Sequence, residues 1–370
     1  MSRSFTRSRA LVLTLAGAAL LFTIGLWGCS GVDNAPVAPV ASSVGIWNEA
    51  NPQLQSVMAI QNFHTKRLME DPDVIGTATT INAEGRPAIM LLVTTPRAFK
   101  SAPAEIDGVP VVPFFTDRIV AMRSTSGVSH TAKQTPPIQL GTSGGWRYDL
   151  ANGYCCGGTL GSLVAKGGTQ YILSNYHVFR SDIVSGGNNR VATNGDPIIQ
   201  PGLIDVGCNA NNAQNVATLA DSASLPGSNV DAAIAQVISG MVRTDGAILE
   251  VGTISASTVA ASLNQAVKKS GRTTGLSRSS VNGLNATVSI TYDNECAGGT
   301  AFTKTFTGQI FIANRGSKFL AGGDSGSLMV EDVSTNARAV GLLYAGSNTV
   351  AVAQPISDVL SFFGASMVGN

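Results

Sequence analysis

Charge and histidine are scarce in this chain. Only 13% of its 370 residues are charged, 24 Lys and Arg against 23 Asp and Glu, for a formal net charge of +1. No block of Lys or Arg occurs, which argues against electrostatic binding of nucleic acid. The three histidines, His64, His130 and His177, stand far apart and leave little material for a zinc site. Acids are absent from the first 28 residues, which carry Arg3, Arg7 and Arg9; the remainder has a balance of −2. Apolar residues, at 44%, argue against disorder. The 41 glycines, set among Ser, Thr, Val and Ala, suit short strands and tight turns. An exported, β-rich protein is the class that remains.

Residues 1–28 combine a basic start, an apolar run from Ala10 and a small residue before a break, the pattern of a secretory signal. The run is just long enough to span a bilayer, so an uncleaved anchor is an alternative. Leu26-Trp27-Gly28-Cys29 resembles the bacterial lipoprotein signal, although Trp27 is bulkier than that family's usual residue. The resemblance implies lipidation of Cys29 and a cell-envelope protein held to the membrane, with soluble secretion as the other outcome. Residues 29–49, rich in Pro, Ala, Val and Ser, read as a flexible tether.

A small α+β module is expected over 50–116. Asn51-Pro52 is a helix start, and the loosely amphipathic helix runs to about Glu70. His64 within it is read as packing. Residues 74–81 and 88–95 form a hairpin, and 109–115 a third strand that Pro110 and Pro113 demote to an edge. The module is either a prodomain or a permanent spacer. Residues 117–139 read as a linker. From about Leu140 to Asn370, strand-length apolar runs alternate with Gly, Asn, Ser and Asp, which suits an antiparallel barrel or sandwich.

Once Cys29 is set aside, Cys155, Cys156, Cys208 and Cys296 form an even set in an oxidising compartment. A bridge between the adjacent pair would be strained. Two long-range disulfides are expected, one from Cys155 or Cys156 to Cys208 and the other from its neighbour to Cys296.

The chemistry-bearing signal is Gly322-Gly323-Asp324-Ser325-Gly326-Ser327. A serine between glycines on a tight turn exposes a nucleophile beside backbone N–H groups able to face a developing oxyanion. Upstream, His177 follows the apolar run Tyr171-Ile172-Leu173, and a neutral imidazole is the usual base at pH 7. Between them Asp231 opens an apolar stretch, where a carboxylate can accept from the imidazole and hold its tautomer. Asp205 and Asp221 are weaker competitors for that role.

The order His177, Asp231, Ser325 with GDSG around the serine resembles the trypsin/chymotrypsin-type serine peptidases, across about residues 140–370. Residues 158–164, 171–179, 267–276, 323–328 and 340–347 look especially like the bacterial trypsin-like members. The resemblance implies an all-β fold, a double antiparallel β-barrel preceded by the small α+β domain, with the triad in the cleft between barrels. It implies an oxyanion hole at the N–H groups of Gly323 and Ser325, a protein or peptide substrate, and no need of a metal or cofactor. It places Phe319, Tyr344, Ala345 and Gly346 at the substrate pocket, whose apolar floor would favour uncharged, small-to-medium apolar residues. A shift of register would bring Lys318 or Arg315 there instead. Three features depart from the family. No IVGG-like start opens the region, no cysteine stands beside His177, and Tyr344 replaces a serine that usually helps hold the catalytic Asp. A catalytically silent binding or adhesion module of the same fold, or an esterase, is the competing reading.

Overall fold

The computed structural model describes residues 46–121, 129–151, 154–180, 192–221, 224–292, 301–316 and 318–370. The expected signal, Cys29, nearly all of the tether, part of the 117–139 linker and Cys296 lie outside them. The described residues form a single compact unit.

Helix α1 (Pro52–Leu68) begins where the sequence places it: the Asn51 side chain accepts from the amides of Gln53 and Leu54, and Pro52 takes a position that needs no donor. Strands β1 (Val74–Ile81) and β2 (Pro87–Val93) pair as the expected antiparallel hairpin. Helix α2 (Pro96–Ser101), capped by Thr95, then carries the chain across. After the short β3 (Glu105–Ile106), strand β4 (Val109–Phe115) therefore lies parallel to β2. Only the two-residue β3 lies outside β4, so its prolines stand almost at an edge.

The next short strand, β5 (Val120–Ala121), pairs with β18 and β21 rather than with β2 or β4. Strands β6 (Thr142–Trp146), β9 (Gly158–Leu160), β10 (Ser162–Lys166), β11 (Thr169–Ser174), β12 (Pro197–Gln200), β13 (Gln214–Ala220) and β14 (Ala233–Val237) build the first barrel. A ribbon of β7 (Leu150–Ala151) and β8 (Tyr154–Cys155) projects from it. The pairing order is β10-β11-β14-β13-β12-β6-β9. Because β9 and β10 are one strand broken at Gly161, the order closes a six-stranded ring around Leu160, Leu163, Ile172, Leu173, Ile198 and Ile234.

A small ribbon, β15 (Ala247–Ile248) with β16 (Gly252–Thr253), precedes the second barrel. That barrel comprises β17 (Ala266–Gly271), β18 (Gly275–Tyr292), β19 (Phe302–Ala313), β20 (Leu328–Glu331), β21 (Ala339–Gly346) and β22 (Val350–Pro355). Its order β17-β20-β21-β22-β19-β18 is closed by pairing of β17 with β18. Helix α4 (Ile356–Phe363) buries Ile356, Val359 and Phe363 in the first barrel's apolar cluster, and β23 (Ser366–Met367) pairs back onto β10.

The module's sheet and the second barrel are continuous. Strand β1 pairs antiparallel with β18, with Gly76 opposite Val288 and Thr77 opposite Thr287. Behind that seam Gln61 of α1 is fully buried, donating to Thr77 Oγ1 (3.1 Å) and the Asn285 carbonyl (3.0 Å) and accepting from Thr79 Oγ1 (2.7 Å). An amide so placed ties helix, hairpin and barrel through one saturated polar network.

Of the expected disulfides, Cys155 pairs with Cys208. Cys156 is also disulfide-bonded.

Candidate active site

Strand β11 ends at Ser174, and the chain turns through Asn175 into the four-residue helix α3 (Tyr176–Phe179), which carries His177. Asp231 stands just before β14, the neighbour of β11 in the ring, so the first barrel supplies both residues. His177 Nδ1 lies 2.7 Å from Asp231 Oδ2, and the His177 amide donates to Oδ1 at 3.3 Å. A carboxylate only accepts, so Nδ1 carries the proton and, in the neutral ring, Nε2 is the accepting nitrogen.

Asp231 is clamped on both sides of its peptide. Asn175 Nδ2 donates to its carbonyl (2.8 Å), as does Gln354 Nε2 of β22 (2.7 Å), and Gln354 Oε1 accepts from its amide (2.6 Å). Tyr292 Oη, at the end of β18, donates to Oδ2 (2.8 Å). Residues of the second barrel thus fix the carboxylate of the first. The competing acids are engaged elsewhere: Asp205 in a buried pair with Arg272, and Asp221 with Lys166. His130 bonds Gly141 and Glu250, and His64 bonds Asp107, so neither joins His177.

Ser325 lies on the turn that enters β20. Its Oγ donates to the Tyr344 carbonyl at 3.1 Å. The turn docks on the first barrel: Thr159 N donates to the Ser325 carbonyl (2.8 Å) and Thr159 Oγ1 to that of Gly323 (2.9 Å). This approach requires Gly326, which has φ 92° and whose Cβ would fall 2.2 Å from Ser174 Oγ.

Asp324, beside the serine, is fully buried. Its carboxylate accepts from the amides of Thr273, Thr274 and Ala321 and from Thr274 Oγ1, and Lys269 Nζ stands 3.2 Å away, also fully buried. Burial pushes the Lys269 ammonium below the ordinary lysine range, against the pull of Asp324. An internal cation thus stands beside the acid that precedes the serine.

The residues assigned to substrate binding line up along the second barrel. Phe319 is buried in an apolar cluster with Leu320, Val267 and Leu343. Tyr344 is fully buried beside Phe306, ring centroids 5.2 Å apart, and among the described residues its hydroxyl makes no hydrogen bond. Burial, with Asp231 near, pushes that phenol well above the ordinary tyrosine range. Ala345 and Gly346 pair antiparallel with Ala121 and Val120 of β5, and Val120 also pairs with Thr291 of β18. Around this strand Thr116 Oγ1 bonds Ser347 Oγ (2.7 Å), Asn348 Nδ2 donates to Asp117 Oδ2 (3.0 Å), and Ile119 is fully buried in one apolar cluster with Tyr176, Tyr292 and Tyr344. Ser325 and His177 are themselves 0% and 2% exposed.

Sequence reasoning missed Tyr292, Gln354 and Lys269, and the packing of residues 116–121 against the second barrel. Lys269 lies within the 267–276 match to bacterial peptidases, which was the signal available for it. Nothing local marks the others.

No family model and no curated protein matches the chain. Solved structures do. One is a glutamic acid-specific serine protease that uses a histidine triad in substrate binding, with 20% identity over 62% of this chain and 100% of that one and a TM-score of 0.41. Thermobifida fusca protease A shares 20% identity over 63% of this chain and 99% of its own, at 0.40. A Cellulomonas bogoriensis chymotrypsin shares 21% over 57% and 91%, at 0.35. The chain has the double β-barrel that its resemblance to trypsin-like peptidases implied, and the solved structures it is similar to are bacterial serine proteases.

Proposed function

We propose that this chain is a serine endopeptidase held in a latent form by its own N-terminal segment. The observation that carries the reading is the 2.7 Å His177–Asp231 bond in a site where the Gly323–Gly326 turn docks on the same barrel. Ser325 attacks the scissile carbonyl while His177 takes its proton and returns it to the leaving amine. Asp231 stays ionised and stabilises the imidazolium. The N–H groups of Gly323 and Ser325 receive the oxyanion, and water then repeats the cycle on the acyl-enzyme.

Latency rests on β5. Val120 and Ala121 occupy the edge of β21 at Ala345 and Gly346, residues assigned above to substrate binding, and the reacting side chains are buried. The module at 50–116 then acts as a prodomain whose sheet anchors the covering segment. The occupants are small and apolar, in keeping with an apolar preference at the pocket of Phe319 and Tyr344. Upstream, residues 1–28 serve as signal, a lipidated Cys29 as anchor and residues to 49 as tether, placing the enzyme at the cell envelope.

A fluorophosphonate probe on the full-length chain tests both halves. Slow labelling that Ser325→Ala abolishes and Val120→Pro accelerates is the expected result, since proline removes an amide donor from a strand paired on both sides. No labelling in either the parent or Val120→Pro would reject the peptidase in favour of a silent binding module. Labelling that is fast in the parent would reject latency alone.

A further inference from the structure

We propose that Tyr292 is a positioning residue for the catalytic carboxylate, supplying the donor that the replacement of a serine by Tyr344 takes away. The inference rests on the peptidase reading of His177, Asp231 and Ser325. Two tyrosines stand near Asp231, and they behave differently. Tyr344 occupies the serine's place in the sequence pattern, yet its hydroxyl reaches no acceptor among the described residues. Tyr292 comes from another strand and donates to Oδ2 at 2.8 Å, the same oxygen that accepts from His177 Nδ1 at 2.7 Å.

The geometry suits positioning. Tyr292 is 1% exposed, and its ring stacks on Phe302 with centroids 4.9 Å apart and planes 6° from parallel. That stack fixes the ring, so little rotamer freedom is lost when the hydroxyl commits to Asp231. The ring also meets the His177 imidazole edge-on at 5.9 Å, so one side chain restrains both partners of the pair. A phenol at neutral pH donates a hydrogen bond without giving up its proton. Asp231 is thereby held in the rotation that presents Oδ2 to Nδ1–H. With two donors sharing Oδ2, neither takes the oxygen's full charge. If the phenol is removed, the bond from His177 is left alone on that oxygen and shortens.

The low-field proton resonance of His177 Nδ1–H reads this bond directly in the full-length chain and is assigned by its loss in His177→Ala. Tyr292→Phe keeps the ring and its stack; Tyr344→Phe removes a buried hydroxyl that bonds nothing among the described residues and serves as the control. The expected result is a downfield shift in Tyr292→Phe and no shift in Tyr344→Phe, with both variants melting as single transitions. An unmoved resonance in Tyr292→Phe, or equal shifts in both variants, would overturn the assignment. The measurement needs no turnover. A chain that hydrolyses nothing would thus count against the peptidase reading and leave this result standing.

Discussion

The two barrels share a six-stranded ring but are held shut by different means. In the first, the ring closes at the broken strand β9–β10, the disulfide from Cys155 to Cys208 ties its ribbon to the loop after β12, and the C-terminal β23 returns to β10. In the second, β18 and β19 run on past the ring, and β1, β2 and β4 continue the sheet from β18. Covalent and local restraints secure the barrel that carries His177 and Asp231. The barrel that carries Ser325 leans on an N-terminal sheet and on a buried ion pair. The N-terminal sheet meets the second barrel through strand pairing and side-chain contacts, and a part so held can be released, which is where a latent enzyme would place its switch.

Breaking the two sides separately sharpens that contrast. The largest expected effect is on chemistry: Asp231→Asn should lower kcat about 10⁴-fold in the activated enzyme, because an amide at this position favours the wrong imidazole tautomer. Single-turnover kinetics would measure it, and a loss of tenfold or less would remove Asp231 from the triad. Next comes the second barrel. Lys269→Met leaves the Asp324 charge buried without its cation and should destabilise the fold by about 3–5 kcal/mol, while Lys269→Arg should retain most of the stability. Chemical denaturation of both variants decides this, and near-equal losses would mean that shape rather than charge matters there.

The first barrel's staple ranks close behind. Cys155 and Cys208 are 53 residues apart, and opening a loop of that size by replacing both with serine should cost about 4 kcal/mol. Melting of the double variant under oxidising conditions tests it; an unchanged transition would show that this bridge adds nothing to what strand pairing and the Cys156 disulfide already hold.

The smallest effect depends on pH. In the fold Tyr344 is held neutral well above the ordinary range, whereas the unfolded chain ionises this phenol from about pH 10. Its contribution is therefore fully present below that pH and is lost as the pH rises further. Tyr344→Phe should flatten the alkaline fall of stability in urea titrations, and parallel curves for parent and variant would refute the assignment.

Much of the site was legible because its parts are local. The glycines around Ser325 and the apolar run before His177 are contiguous in sequence, and their chemistry needs only a turn and a strand end. The module's helix and hairpin were legible for the same reason: a cap at Asn51 and a turn at Asn82 act over a few residues. The parallel seat of β4 was not, because it depends on α2 carrying the chain across the sheet rather than on the strand's own residues. Tyr292 and Gln354 were hidden too. They reach Asp231 across 61 and 123 residues, from strands whose patterns speak only of burial.

The amino-acid sequence by itself determined which residues could react and which segments had to be strands, since both follow from side-chain type and short-range periodicity. Tertiary structure decided what those strands touch. Pairing of β1 with β18 and of β5 with β21 is made by backbone N–H and C=O groups that nearly every residue carries, so no local pattern announces it. The cation beside Asp324, the second donor on Asp231 and the strand paired to Ala345 and Gly346 all arise in this way, from segments that meet only once both barrels have closed.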